Sequence, residues 1–212
     1  MGLPMVDAQV KEMLARNGLP LSSVKEARLE AHARLLREWN AFAGLVSSRE
    51  VERLGDHYAD ALSLGPVVRH LGQEAGHLLD IGTGGGFPAL PLKVLFPEMR
   101  VTLVERNAKK VGFLRKALSV LDMRDVELLH GEFPIVLPKG LVPTLVTARA
   151  VERASVISKA LARWMQVGAV FLCQSGEVEC FMGPMFHVEH LLDEWTTGGM
   201  RRGELRLIHR VE

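Results

Sequence analysis

A glycine cluster set between an apolar strand and a helix constrains this chain more than any other feature. Asp80-Ile81-Gly82-Thr83-Gly84-Gly85-Gly86-Phe87-Pro88 continues the short apolar run that begins at His77. A helical pattern over Ala89 to Phe96 follows, stopped by Pro97. An apolar run of this kind reads as a strand buried on both faces of a parallel sheet. In an open α/β sheet, the junction between such a strand and its helix is where a ligand sits. Glycines there let the main chain approach the ligand and adopt positive φ, and the helix start offers free amides.

The remainder repeats the alternation. Strands are predicted at Val101 to Glu105, Val126 to His130, Thr144 to Ala150 and Val167 to Gln174, with helices at Lys109 to Leu121 and Ser155 to Gln166. Near the end, Leu205 and Leu207 alternate with polar residues as in a half-exposed edge strand. Strands alternating with helices imply a doubly wound α/β sheet. The first seventy residues differ, with no period-2 pattern. Leu29, Ala33, Leu36 and Asn40 recur at helical spacing with Trp39 on the flank, and Ser23 with Glu26 reads as a capping box. Asn17-Gly18-Leu19-Pro20 and Gly44 punctuate the helices. The expected division is a helical cap over 1–70 and an α/β domain over 71–212.

Composition narrows the function classes. Hydrophobic residues make up 48% and charged residues 24%, enough apolar material for a core. Lys and Arg number 26 against 25 Asp and Glu, a net charge of +1. A global basic field is excluded, so a nucleic-acid partner needs a local patch. The start carries no secretory pattern, and Val6 breaks the myristoylation motif opened by Gly2. Val167 to Cys173 is too short an apolar run to span a bilayer. Cys173 and Cys180 form neither a CxxC nor a zinc framework. A reduced, cytoplasmic protein without a membrane partner or an obligatory protein partner is expected.

Three details of the glycine loop point to its ligand. The spacing is GxGxG, not the GxGxxG of dinucleotide sites. Asp80 lies two residues before the first glycine, where a carboxylate repels a pyrophosphate but accepts hydrogen bonds, direct or through water, from an ammonium group. Glu105 ends the second strand, placed to take both hydroxyls of a ribose. A ligand with an ammonium, a ribose and no phosphate fits S-adenosylmethionine better than a nicotinamide or flavin cofactor. A purely structural glycine turn remains the bland alternative.

With these residues the chain resembles the RsmG (GidB) family of bacterial 16S ribosomal RNA guanine-N7 methyltransferases. Asp80 to Leu92 resembles that family's cofactor loop, including Phe87-Pro88. Glu105 to Leu114 resembles its acidic strand end and basic helix, and Thr147 to Val151 its Ser-Arg-Ala element. Glu38 to Asn40 and His57 to Leu62 resemble elements of its helical cap. The resemblance implies a class I (Rossmann-like) S-adenosylmethionine-dependent methyltransferase fold with an N-terminal helical cap. It implies cofactor contacts at Gly82, Gly84, Phe87, Glu105 and Arg149 and in the segment around Gly131 to Phe133, so at Glu132 and Phe133, beside the Asp80 contact read from the loop itself. The chain departs from the family at Gly131-Glu132-Phe133-Pro134 (usually Gly-Arg-Ala-Glu), at Gln174-Ser175-Gly176 (usually Lys-Gly) and at Ala61 (usually Ser).

Substrate-side reasoning agrees. Guanine N7 carries a lone pair and no proton, so its methylation needs alignment and no strong base. The sequence shows no Ser/His/Asp or Cys/His nucleophile set, and no catalytic residue is expected, Arg149 being the one candidate. Arg106, Lys109, Lys110, Arg115 and Lys116 fall within eleven residues that contain no acid. They are expected to bind RNA, a solvated helix face being the alternative. Arg149 and Arg153 follow the fourth strand at the same edge. His187-Val188-Glu189-His190 lacks the order and third ligand of a zinc motif, so no metal is expected. His57 and Trp39 are read as packing residues. The expected partner is 16S rRNA or a small-subunit particle. The competing functions are methylation of another RNA or a small molecule on the same fold, or a non-catalytic nucleotide-binding module.

Overall fold

Alternate residues of each central strand feed two separate cores, which is why these strands read as unbroken apolar runs. In β1 (His77–Ile81), Leu78 belongs to one core and Leu79 and Ile81 to the other. In β2 (Arg100–Glu105), Val101 and Leu103 face the first core and Val104 the second. In β4 (Leu145–Thr147), Leu145 and Val146 divide in the same way. The computed structural model describes residues 6–149, 154–174, 179–191 and 205–212.

With β3 (Val126–His130), β5 (Val170–Cys173), β6 (Phe186–Leu191) and β7 (Leu205–Arg210), the seven strands form one sheet in the order β3-β2-β1-β4-β5-β7-β6. The first five are parallel, and β7 runs antiparallel to both neighbours. The strand order reverses between β1 and β4, so the loop after β1 opens at the topological switch point. Helices α6 (Ala89–Leu95) and α7 (Ala108–Val120) pack on the first face, and α8 (Ala154–Trp164) with a short 3-10 turn at Glu179–Phe181 on the second.

The final strand departs from the sequence reading. β7 is internal, and the edge belongs to β6. Leu205, Leu207 and Ile208 are buried because β5 and β6 flank them and both faces are covered. The stretch His187 to His190, weighed only for metal, lies in that edge strand.

Among the described residues five helices precede the sheet: α1 (Ala8–Arg16), α2 (Ser23–Ala43), α3 (Ser48–Val51), α4 (Leu54–Leu62) and α5 (Gly65–His70). Their apolar residues, among them Leu14, Leu29, Leu36, Leu62 and Val67, join the first sheet core without a break. The cap has no separate core and is held as a layer on that face. The expected capping box is displaced. Ser22, not Ser23, caps α2, accepting from Lys25 N at 3.3 Å, and Glu26 instead pairs with Lys11 at 2.6 Å. The box forms at Ser47 and Glu50 on α3. Gly44 closes α2 in the left-handed conformation, φ 58°. Asn40 fixes the chain beyond it: its Oδ1 accepts from Leu45 N and Val46 N, each at 2.9 Å, and its Nδ2 donates to Val46 O.

Candidate functional site

The β1 loop is built from both sides. Its strand register continues into it, with Gly82 N and Thr83 N donating to Val104 O at 2.8 and 3.2 Å. Gly82, Gly84 and Gly86 have φ of 68°, 56° and 85°, a region side chains rarely adopt. Gly84 faces open space: a Cβ there would meet nothing nearer than Gly82 O at 3.9 Å. Gly86 is closed, since a Cβ would fall 2.5 Å from Leu90 Cδ1. The sequence motif thus mixes one glycine that leaves room beside the loop with another that lets α6 pack.

Two carboxylates frame the open glycine. Glu105 is 5% exposed. Its Oε2 accepts from Gly84 N at 3.0 Å and its Oε1 from Asn107 N at 2.8 Å, so both oxygens already brace the loop and each keeps acceptor capacity. Asp80 lies fully buried beneath the loop. Its Oδ1 accepts from the Thr147 hydroxyl at 2.7 Å, while Oδ2 makes no hydrogen bond among the described residues. Burial pushes its carboxyl up to about 6, with Glu105 adding to the rise, against the opposing effects of the Thr83 and Thr147 hydroxyls and the Arg149 charge. An unanswered buried acceptor, a second carboxylate and an open glycine suit a ligand rich in donors, with an ammonium and hydroxyls, and disfavour a pyrophosphate. The residues present therefore fit S-adenosylmethionine.

The cap closes the other side of the loop, which sequence reasoning did not reveal. His32 of α2 is completely buried and donates from Nε2 to Gly85 O at 3.0 Å. That tautomer leaves Nδ1 to accept from the Tyr58 hydroxyl of α4 at 2.7 Å. Burial brings the His32 imidazole down to about 4, although the Gly85 carbonyl opposes this, so the ring is neutral. A polar residue on the inner stripe of an amphipathic helix was the available signal.

Phe87 and Phe133, both expected beside the cofactor, bury their rings in the protein. The Phe87 ring is turned into the cap, with centroids 5.0 Å from Tyr58, 5.4 Å from His57 and 5.5 Å from His32. The Phe133 ring packs on Trp164 at 5.5 Å in the second core. Apolar side chains next to a loop bury where a core is available, as both rings do here. Glu132 is exposed beside Gly131, whose N–H donates to Glu105 O at 3.0 Å. Arg149, two residues beyond β4, spans to the cap. Its guanidinium meets Asp60 Oδ2 and His57 Nδ1 at 3.3 Å and lies 5.2 Å from the Phe87 ring centroid. His57 thus packs at the junction of cap and loop, and Trp39 is half-buried against the core. Arg153, Ser175 and Gly176 lie outside the described residues.

The basic run occupies the start of α7 beside Glu105. Asn107 caps the helix, its Oδ1 accepting from Lys109 N at 2.9 Å and Lys110 N at 3.3 Å. Arg106, Lys109, Arg115 and Lys116 are exposed and Lys110 is half-buried, opposite the buried Val111, Phe113, Leu114 and Ala117. The first turn holds no acid. Cations at the positive end of a helix cost about 0.3–1 kcal/mol each, so this placement does not serve helix stability. Among the described residues, no three His, Cys, Asp or Glu side chains gather as a metal would require, and no helix is long and apolar enough to cross a membrane.

The family model for GidB, rRNA small subunit methyltransferase G, matches residues 25–180, well over half of the chain. Ribosomal RNA small subunit methyltransferase G of Leuconostoc mesenteroides is 31% identical over 179 residues, 81% of this chain and 74% of that protein. The Streptococcus pneumoniae protein of the same name is 35% identical over 165 residues, 76% of this chain and 69% of its own length. Among solved structures, a mutant of MtNAS in complex with S-adenosylmethionine superposes with a TM-score of 0.59 at 16% identity, over 97% of this chain and 80% of that one, a likeness of fold alone. A methyltransferase fold, a loop fitted to S-adenosylmethionine and these relatives agree: the chain belongs to the rRNA small subunit methyltransferase G family and is an S-adenosylmethionine-dependent methyltransferase.

Proposed function

We propose that this enzyme transfers a methyl group from S-adenosylmethionine to N7 of a guanine in 16S rRNA. The match of the family model over residues 25–180 carries the reading. When bound, the cofactor supplies an electrophilic methyl group on a sulfonium. Gly82 and Gly84 let the main chain approach it, Asp80 answers its ammonium and Glu105 its ribose, while Phe87, Glu132, Phe133 and Arg149 complete the rim. The N7 lone pair takes the methyl group and the guanine ring acquires the positive charge. No proton has to leave, so no side chain need act as base. Arg149 beside a ring gaining positive charge would oppose the reaction. Its charge is turned instead to Asp60, and its role is to hold the cap against the sheet edge.

Arg106, Lys109, Lys110, Arg115 and Lys116 form the RNA patch, and the misplaced cations of the first helical turn are the specific support for it. Residues 1–70 act as a cap on the catalytic domain of residues 71–212, and the enzyme works in the cytoplasm on rRNA or on a small-subunit particle. Tritiated-methyl transfer tests the reading, with small-subunit and large-subunit rRNA compared as naked RNA and as particles. Label confined to the small-subunit RNA is the expected result, and label on large-subunit RNA alone overturns it.

A further inference from the structure

On the reading that α7 meets RNA, we propose that Phe42, with the Lys109 ammonium against its ring, is a stacking platform for an unpaired base of the substrate strand. Phe42 lies on the last turn of α2 and is 61% exposed. Lys109 Nζ lies 4.9 Å from its ring centroid. Neither placement favours the fold. An aromatic ring left in water forgoes its burial, and Lys109 stands at the positive end of α7. Two unfavourable choices meeting at one point of the surface mark a binding feature.

The platform is firmly backed. Trp39 stands edge-on to Phe42, centroids 6.1 Å apart at 77°, and Trp39 packs on the buried Phe113 at 6.3 Å. Phe113 in turn lies 6.0 Å from His32, which holds the Gly85 carbonyl of the glycine loop. A chain of packed rings thus joins the exposed face to the cofactor loop. The occupant follows from charge and shape. Arg106 just ahead of the helix and Arg115 and Lys116 on it are exposed without an intervening acid, which suits an anionic backbone. A π-face beside a cation suits a base of any identity, the usual pairing in single-strand binding. The platform holds the strand between cap and domain, while sequence choice is left to the guanine site.

Fluorescence anisotropy with the whole protein tests this. The probes are a labelled oligoadenylate and an abasic ribose-phosphate chain of the same length. The wild type binds both with a salt dependence and prefers the oligoadenylate. Phe42→Ala weakens oligoadenylate binding about five- to one hundredfold, the range for losing one stacked base. It leaves the abasic chain, the salt slope and the affinity for the demethylated cofactor unchanged, and Phe42→Trp restores the preference. Lys109→Gln lowers the salt slope by about 0.7. If Phe42→Ala binds both probes as the wild type does, the platform is refuted while the RNA reading stands. If the wild type binds neither probe, the RNA reading fails and the platform with it.

Discussion

Two buried groups of this protein titrate in opposite senses, and substituting one exposes the other. The His32 imidazole falls from 6.5 to about 4 on burial, so between those values the unfolded chain binds the extra proton. Its contribution to stability is present above pH 6.5 and is lost as pH falls toward 4. The Asp80 carboxyl rises from 3.8 to about 6, so there the folded chain binds the extra proton. Its contribution is present below pH 3.8 and is lost as pH rises through 6. Each shift corresponds to about 3 kcal/mol, a large part of a typical total of roughly 5–15. In the wild type the two nearly cancel over the shared window. His32→Gln keeps a donor for Gly85 O and an acceptor for Tyr58 but removes the titration. Urea unfolding of this variant at a series of pH values should show stability falling by about 3 kcal/mol between pH 4 and 6 relative to the wild type, and Asp80→Asn should show the reverse slope. If the His32→Gln profile is parallel to that of the wild type, His32 does not titrate as a buried neutral group.

Other outcomes follow from the same contacts. Glu105→Ala removes the acceptor for Gly84 N and Asn107 N as well as the proposed ribose contact, so cofactor affinity should fall about tenfold or more in calorimetry, and an unchanged Kd would remove Glu105 from the site. The same titration should show no heat with NAD. Lys109→Glu with Lys110→Glu should weaken RNA binding and flatten its salt dependence while leaving cofactor affinity nearly unaltered; equal losses of both affinities would show a folding defect instead. Tyr58→Phe leaves buried His32 Nδ1 without its donor and should cost about 1–3 kcal/mol in thermal or urea unfolding, whereas no change would mean that this hydrogen bond adds nothing to stability.

The central sheet was legible because its physics is local. An apolar run followed by glycines can be little else, and the acids at positions 80 and 105 stand where strand ends must place them. The Phe87 side chain illustrates the limit. The motif locates it beside the loop, but the direction of its ring depends on His32, His57 and Tyr58, brought in from distant segments. Phe186 to Glu189 alternates apolar and polar residues as an edge strand does, but the run is too short to stand out beside His187 and His190, which by themselves read as surface residues. Leu205 to Arg210 looks half-exposed in isolation and is internal only because that edge strand lies beyond it. Ser22 and Ser23 both offer a hydroxyl, and packing of α1 through Lys11 and Glu26 decides which one caps. Phe42 carries no sequence signal, since only the approach of α2 to α7 sets Lys109 against it.

The most direct measurement concerns the methylated atom. Small-subunit RNA treated with the enzyme and S-adenosylmethionine, then reduced with borohydride and exposed to aniline, breaks where a guanine carries an N7 methyl group. The account predicts one new break, at an unpaired guanine of 16S rRNA, which appears about fivefold more slowly when Glu105→Ala enzyme is used at a cofactor concentration near the wild-type Kd, since a tenfold weaker affinity leaves about one eleventh of the enzyme loaded instead of half. Incorporated methyl label with no such break would place the methyl group on another atom and contradict it.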